Sequence, residues 1–175
     1  MRVNRRELML AGSLAVAGCA SSAGGAGGLG GLVGGAAPKL YYLGQAKVFS
    51  LDPAGKPVTL VDDTPKDGSR PAGVNDGIAV HRATGQIFWT NMGKAAENDG
   101  YITRCDRDGA NVTPIVKPGG TFTPKQLKID ETAGNLYCSD REGMAIQRCN
   151  LDGSGIETIV ITGNPKANKG DQARW

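Results

Sequence analysis

The stretch "ITRCDRDGANVTPIV" at 102–116 is repeated as "IQRCNLDGSGIETIV" at 146–160, with Ile, Arg, Cys, Asp, Gly, Ile and Val in matching places. Outward from it, "GIAVHRATGQIFWTN" (77–91) aligns with "QLKIDETAGNLYCSD" (126–140). A fainter copy, "KLYYLGQAKVFSLDPAGKPVTLV", occupies 39–61. Tyr41 precedes Phe88 by 47 residues, and Phe88 precedes Tyr137 by 49. A period of this size signals a repeat architecture, in which each unit covers its apolar faces with its neighbours.

Each copy reads as short strands. Ile78 and Val80, Ile87 and Trp89, Leu127 and Ile129, and Leu136 and Cys138 sit at alternate places in short runs. The runs end in turn chemistry: "ATGQ", "TAGN", "DRDGAN" and "LDGSG". Asp and Asn there bond the nearby backbone, and Gly supplies a positive φ. No segment after residue 37 carries a helical period. Four short antiparallel strands per repeat make a propeller blade. The expected fold is all-β, a partial β-propeller with two complete four-stranded blades and most of a third. The first copy opens directly on "LYYLG", so the strand preceding it is expected to be missing.

"IFWTN" and "LYCSD" resemble the YWTD box of low-density-lipoprotein-receptor-type six-bladed propellers, and the "I-x-R-x-x-x-D-G" phrase resembles the other half of that repeat. The resemblance spans 39–163. It departs from the pattern at Asn91, which stands for Asp, and at Cys138, which stands for Trp. It implies structural roles for Trp89, Asn91, Asp108, Gly109, Tyr137, Asp140, Asp152 and Gly153, with Asn91 and Asp140 bonding backbone within and between blades. Closed propellers hold roughly 4 to 8 blades. The expectation is therefore an N-terminal part of a longer propeller. The alternative is a half-ring closed by a second copy.

The start of the chain reads differently. Arg2, Arg5 and Arg6 precede an apolar run at 8–18, shorter than the ~20 residues a bilayer span requires, and small residues lead into Cys19. That is the layout of an export signal. "NRRELML" resembles a twin-arginine signal through Arg5 and Arg6. "VAGC" resembles a bacterial lipobox, which implies lipid on Cys19. The expected organisation is an export signal at 1–19, a glycine-rich tether at 20–37, blades at 38–163, and the opening of another blade or a linker at 164–175. The expected location is periplasmic or cell-envelope, as an anchored lipoprotein of the outer membrane if the host is Gram-negative.

Without Arg2, Arg5, Arg6 and Glu7 the chain carries 17 basic and 16 acidic residues. That balance offers no patch able to neutralise several phosphates, so nucleic acid is excluded as a partner. Cys105, Cys138 and Cys149 read as small buried hydrophobes, with Cys138 and Cys149 the only pair close enough to bridge. No spacing resembles a zinc site. His81, the single histidine, falls in a turn with no partner that would form a triad.

Two segments carry candidate function. The "NMGKAAENDGYI" segment is five residues longer than its counterpart "DREGMAI". Loops of this kind carry binding surface, and Asn91, Lys94, Glu97, Asn98 and Asp99 are its candidate contacts. The "NDG" of 75–77 resembles the metal-binding segment of gluconolactonase- and regucalcin-like propellers. That resemblance implies Asn75 as a ligand, with Asp76 beside it, to Ca²⁺ or Mg²⁺. The acid that this family places early in its first blade has no counterpart at 38–50. The expected function is a non-catalytic scaffold with no cofactor, tethered to a membrane and presenting loops to a protein, peptide or glycan. The alternative is a divalent-metal-dependent lactonase.

Overall fold

The computed structural model describes residues 14–16, 39–67, 73–94 and 97–167. The expected twin arginines, lipobox cysteine and glycine-rich tether lie outside these residues, as do 168–175. The described residues contain no helix. They form three four-stranded antiparallel sheets. Blade 1 comprises β1 (Leu14–Val16), β2 (Leu40–Leu43), β3 (Lys47–Leu51) and β4 (Pro57–Asp62). Blade 2 comprises β5 (Asn75–Val80), β6 (Ile87–Asn91), β7 (Gly100–Cys105) and β8 (Thr113–Thr121). Blade 3 comprises β9 (Pro124–Asp130), β10 (Asn135–Asp140), β11 (Ala145–Asn150) and β12 (Glu157–Ile161). Each blade is a meander paired in chain order.

The expectation for blade 1 needs one correction. Its inner strand is present, supplied by Leu14–Val16, which pairs antiparallel with β2 in the register Leu14↔Tyr42, Ala15↔Tyr41 and Val16↔Leu40. The free backbone groups of β2 accept a partner whatever its side chains are. The pairing therefore needs none of the repeat's residues. It uses the same apolar run that the export reading claims.

The core lies between blades. One cluster joins Tyr41, Leu43, Val48 and Val61 of blade 1 to Ile78, Ile87, Trp89 and Cys105 of blade 2. The other joins Ala79, Phe88, Ile102 and Val116 of blade 2 to Leu127, Leu136, Cys138 and Cys149 of blade 3. Equivalent positions recur on the face turned to the following blade: Tyr41 and Phe88, Val48 and Ile102, Val61 and Val116. In β6 both faces are covered, so all five residues are buried.

The repeated turn explains why the phrase recurs. In "DRDG" and "NLDG" the glycine N–H donates to the carbonyl three residues back, from Gly109 to Asp106 at 2.9 Å and from Gly153 to Asn150 at 2.8 Å. Both glycines are left-handed, with φ of 88° and 84°. Both also meet the preceding blade. A Cβ on Gly109 would lie 2.4 Å from the Leu60 carbonyl oxygen, and one on Gly153 would lie 1.9 Å from that of Ile115. The Asp-Gly turn is thus a point where one blade seats on the outer strand of the blade before it. Only glycine combines this conformation with this approach.

Candidate functional site

The two ends of the blades differ. At one end lie tight turns, among them 81–86, 106–112, 130–134 and 151–156. At the other lie the longer 63–74 and 92–99 connections, with 122–123 and 141–144 beside them. Most of the buried polar side chains, including Asn75, Asn91, Thr121, Thr123 and Asp140, gather at this second end.

Their first task is to hold the connections. The buried Asp140 carboxylate accepts from Phe122 N at 2.6 Å, Thr123 N at 2.8 Å and Gly143 N at 2.9 Å. It ties the link between blades 2 and 3 to the turn after its own strand. Three backbone donors oriented on one charge are strong, charge-assisted bonds. Asn91 holds the same place in blade 2. Its Nδ2 donates to Asn75 Oδ1 at 3.0 Å and its Oδ1 accepts from Gly93 N at 2.9 Å. Asn91 therefore leaves the set of expected loop contacts, because it is buried and its amide is already bonded.

The rest of that loop is partly self-satisfied. Asp99 Oδ1 accepts from Lys94 N at 2.8 Å, and Lys94 Nζ lies 3.3 Å from Glu97 Oε2. Lys94, Glu97 and Asn98 are exposed, and Asp99 is half-buried.

At the inner strands, Gly77 lets β5 approach β9 closely. A Cβ there would meet the Lys125 carbonyl oxygen at 2.2 Å. Thr90 Oγ1 stitches the approach by accepting from Gly77 N at 2.8 Å and donating to that same carbonyl at 2.7 Å. Above it, Lys125 Nζ lies 3.2 Å from Asp76 Oδ2, and the ammonium also touches Met92 Sδ. Arg141 bonds Glu142 beside this pair. Burial pushes the Glu142 carboxyl up, but the hydrogen bond and charge of Arg141 help outweigh it and leave the carboxyl below its ordinary value.

These partners bear on the metal reading. Asn75 Oδ1 is occupied by Asn91, and Asp76 is paired with an ammonium that a cation would have to displace. Among the described residues no group of three or more His, Cys, Asp and Glu side chains could hold a metal ion. As arranged, Asn75 and Asp76 do not fit a divalent metal. His81 Nδ1 sits 3.2 Å from Thr84 N and 3.0 Å from its Oγ1, inside a turn. The three described cysteines are free and buried. Burial pushes the thiols of Cys105 and Cys138 up to about 12 and that of Cys149 up to about 11, so none is a nucleophile at neutral pH.

Sequence reasoning missed Thr90, Gly77 and Lys125. Thr90 sits in the box beside Trp89, and only the inner-strand approach reveals its role.

No family model matches the chain. It is 37% identical over 134 residues to low-density lipoprotein receptor-related protein 1 of Pyricularia oryzae, covering 74% of this chain and 41% of that protein. It is 43% identical over 102 residues to 3-hydroxyacyl-CoA dehydrogenase-like protein LAM1 of Cochliobolus heterostrophus, covering 57% of this chain and 22% of that protein. The chain thus spans less than half the length of either relative. Among solved structures it resembles the nidogen/laminin complex, with a TM-score of 0.59 at 18% identity over 71% of this chain and 45% of that one. It also resembles a calcium-binding regucalcin from Agrobacterium tumefaciens, with a TM-score of 0.52 at 18% identity over 70% and 42%. The described residues form an arc of a YWTD-like β-propeller.

Proposed function

We propose that this chain is a non-catalytic binding scaffold, exported and tethered to a membrane through its N-terminal segment, whose long-connection end recognises a protein, peptide or glycan. One observation carries the reading. At that end Asn75 Oδ1 accepts from the Asn91 amide and Asp76 pairs with the Lys125 ammonium, while Lys94, Glu97 and Asn98 stand exposed. Paired carboxylates beside one exposed polar loop suit recognition better than acid–base work. The nidogen likeness supports a propeller that meets other proteins, since that structure is a complex with laminin. The arginines and Cys19 of the N-terminal segment support export and anchoring; processing at Cys19 would remove Leu14–Val16, so the β1–β2 pairing belongs to the unprocessed chain.

Two assays test it. Glycan and peptide arrays are probed with the chain and with a Lys94→Ala/Glu97→Ala variant, and binding that falls in the variant is expected. Hits that persist unchanged would remove the loop from the site. In parallel, melting is followed with added Ca²⁺ or Mg²⁺, and no shift is expected. A shift abolished by Asn75→Ala, together with lactone hydrolysis, would carry the metal-dependent hydrolase instead.

A further inference from the structure

The turn from β7 into the outer strand of blade 2 ends on Asn111, Val112 and Thr113. Asn-x-Ser/Thr, with any residue but Pro between, is the acceptor pattern for N-linked glycosylation. No other Asn of the chain has Ser or Thr two places on. The matching triplet of blade 3 is Gly155, Ile156 and Glu157, which lacks both ends of the pattern.

The Asn has a structural reason to be there. Asn111 is left-handed, with φ of 54°, as Gly155 is at 62°. Asn tolerates that conformation better than most residues that carry a side chain. Its Nδ2 also donates to Asp106 Oδ2 at 2.6 Å across the turn. The Thr has no comparable reason. Its Oγ1 donates to the Asn111 carbonyl at 3.1 Å, inside the triplet, and blade 3 places Glu157 there instead. The hydroxyl is therefore the half of the pattern that the turn does not demand.

Access is open. Residues 110–114 are all exposed, with Val112 at 43%. The Asn111 amide carries two N–H groups and gives one to Asp106. The turn lies at the tight-turn end of blade 2, away from Lys94, Glu97 and Asn98.

We infer that Asn111 is an N-glycosylation site, whose co-substrate is an oligosaccharide carried on a lipid diphosphate. In the transfer, Nδ2 bonds the anomeric carbon of the first sugar and the C–O bond to the diphosphate breaks. The lipid diphosphate and one amide proton leave. The product keeps one N–H, enough to retain the bond to Asp106. The glycan adds bulk and solubility beside the exposed Val112 and leaves the opposite end free for recognition. This inference rests on the export half of the proposed function. It requires a secretory lumen of the eukaryotic kind, which Pyricularia oryzae and Cochliobolus heterostrophus, the sources of the two relatives, possess.

The test is translation of the full chain with eukaryotic microsomes, once from its own Met1 and once behind an independent secretory signal. The protease-protected chain is compared by gel mobility before and after peptide N-glycosidase. A single glycosidase-sensitive shift is expected, and peptide mass should place it on Asn111. Thr113→Ser should keep the shift. Thr113→Val should abolish it, and so should Asn111→Gly, which copies the blade 3 turn. A protected chain without the shift overturns the proposal, as does a shift that survives Thr113→Val. Entry only behind the independent signal counts against export rather than against the site, and the glycan is then judged on that fused chain.

Discussion

Blades 2 and 3 share a repeat pattern and differ in their company. In blade 2, Trp89 and Phe88 point to opposite faces and both are buried, because a sheet packs on each side. In blade 3, Leu136 and Cys138 are buried against blade 2, while Tyr137, between them, is only half-buried. The outer strand β12 is exposed throughout. The repeat therefore specifies a strand with two sticky faces. The neighbour decides how much each face contributes to stability.

The largest expected effect tests that difference directly. Trp89→Ala empties a fully buried site in the seam between blades 1 and 2 and should cost about 3–5 kcal/mol. Tyr137→Ala, on the open face, should cost about 1 kcal/mol, since less apolar area is lost from the interior. Urea denaturation of both variants, read as midpoints at constant slope, measures the gap. Equal costs would break the comparison. A Tyr137 cost that grows with protein concentration would sharpen it, by showing that a second copy covers the face.

The turns give a smaller contrast. Gly153→Ala and Gly134→Ala impose the same left-handed strain, of order 1–2 kcal/mol. Only the first drives a Cβ into the Ile115 carbonyl. Gly153→Ala should therefore cost clearly more, and the excess measures the blade-to-blade contact. If the two variants melt together, the Asp-Gly phrase is a local turn and nothing else.

The fold was legible because its signals are local. Period, alternating apolar residues and Asp-Gly turns are all properties of short windows. The reading faltered where a residue's role depends on another blade. "IFWTN" alternates on paper, yet all five residues are buried. Asn91 was expected both as a backbone tie and as a loop contact, and burial leaves it only the first. Gly109 and Gly153 read as turn residues, and nothing in "RCDRDGAN" announces that the outer strand of the previous blade lies against the glycine. Leu14–Val16 was read within an export signal. Its pairing with β2 rests on backbone groups, which leave no pattern in the sequence.

The smallest effect sits at a single repeat position that carries opposite charges in adjacent blades. Arg82 and Glu131 occupy the same place in their repeats. Across the seam, Glu131 Oε1 accepts from Arg82 N at 2.9 Å and from its Nε at 3.1 Å. The backbone bond, followed by the guanidinium, holds the Glu131 carboxyl below its ordinary value against some burial. A carboxyl with a depressed folded pKa adds stability that is present above the unfolded value, near 4.5, and is lost as pH falls through the folded one. Glu131→Gln should thus lower the melting temperature slightly at pH 6 to 7. The difference from the parent should vanish as the pH drops below the folded pKa. An Arg82→Glu/Glu131→Arg swap should recover only part of the loss. It restores a charge pair across the seam, but the residue at 131 no longer offers an acceptor to the backbone N–H of 82. Full recovery would mean that the charges, and not the backbone bond, join the two blades at this point.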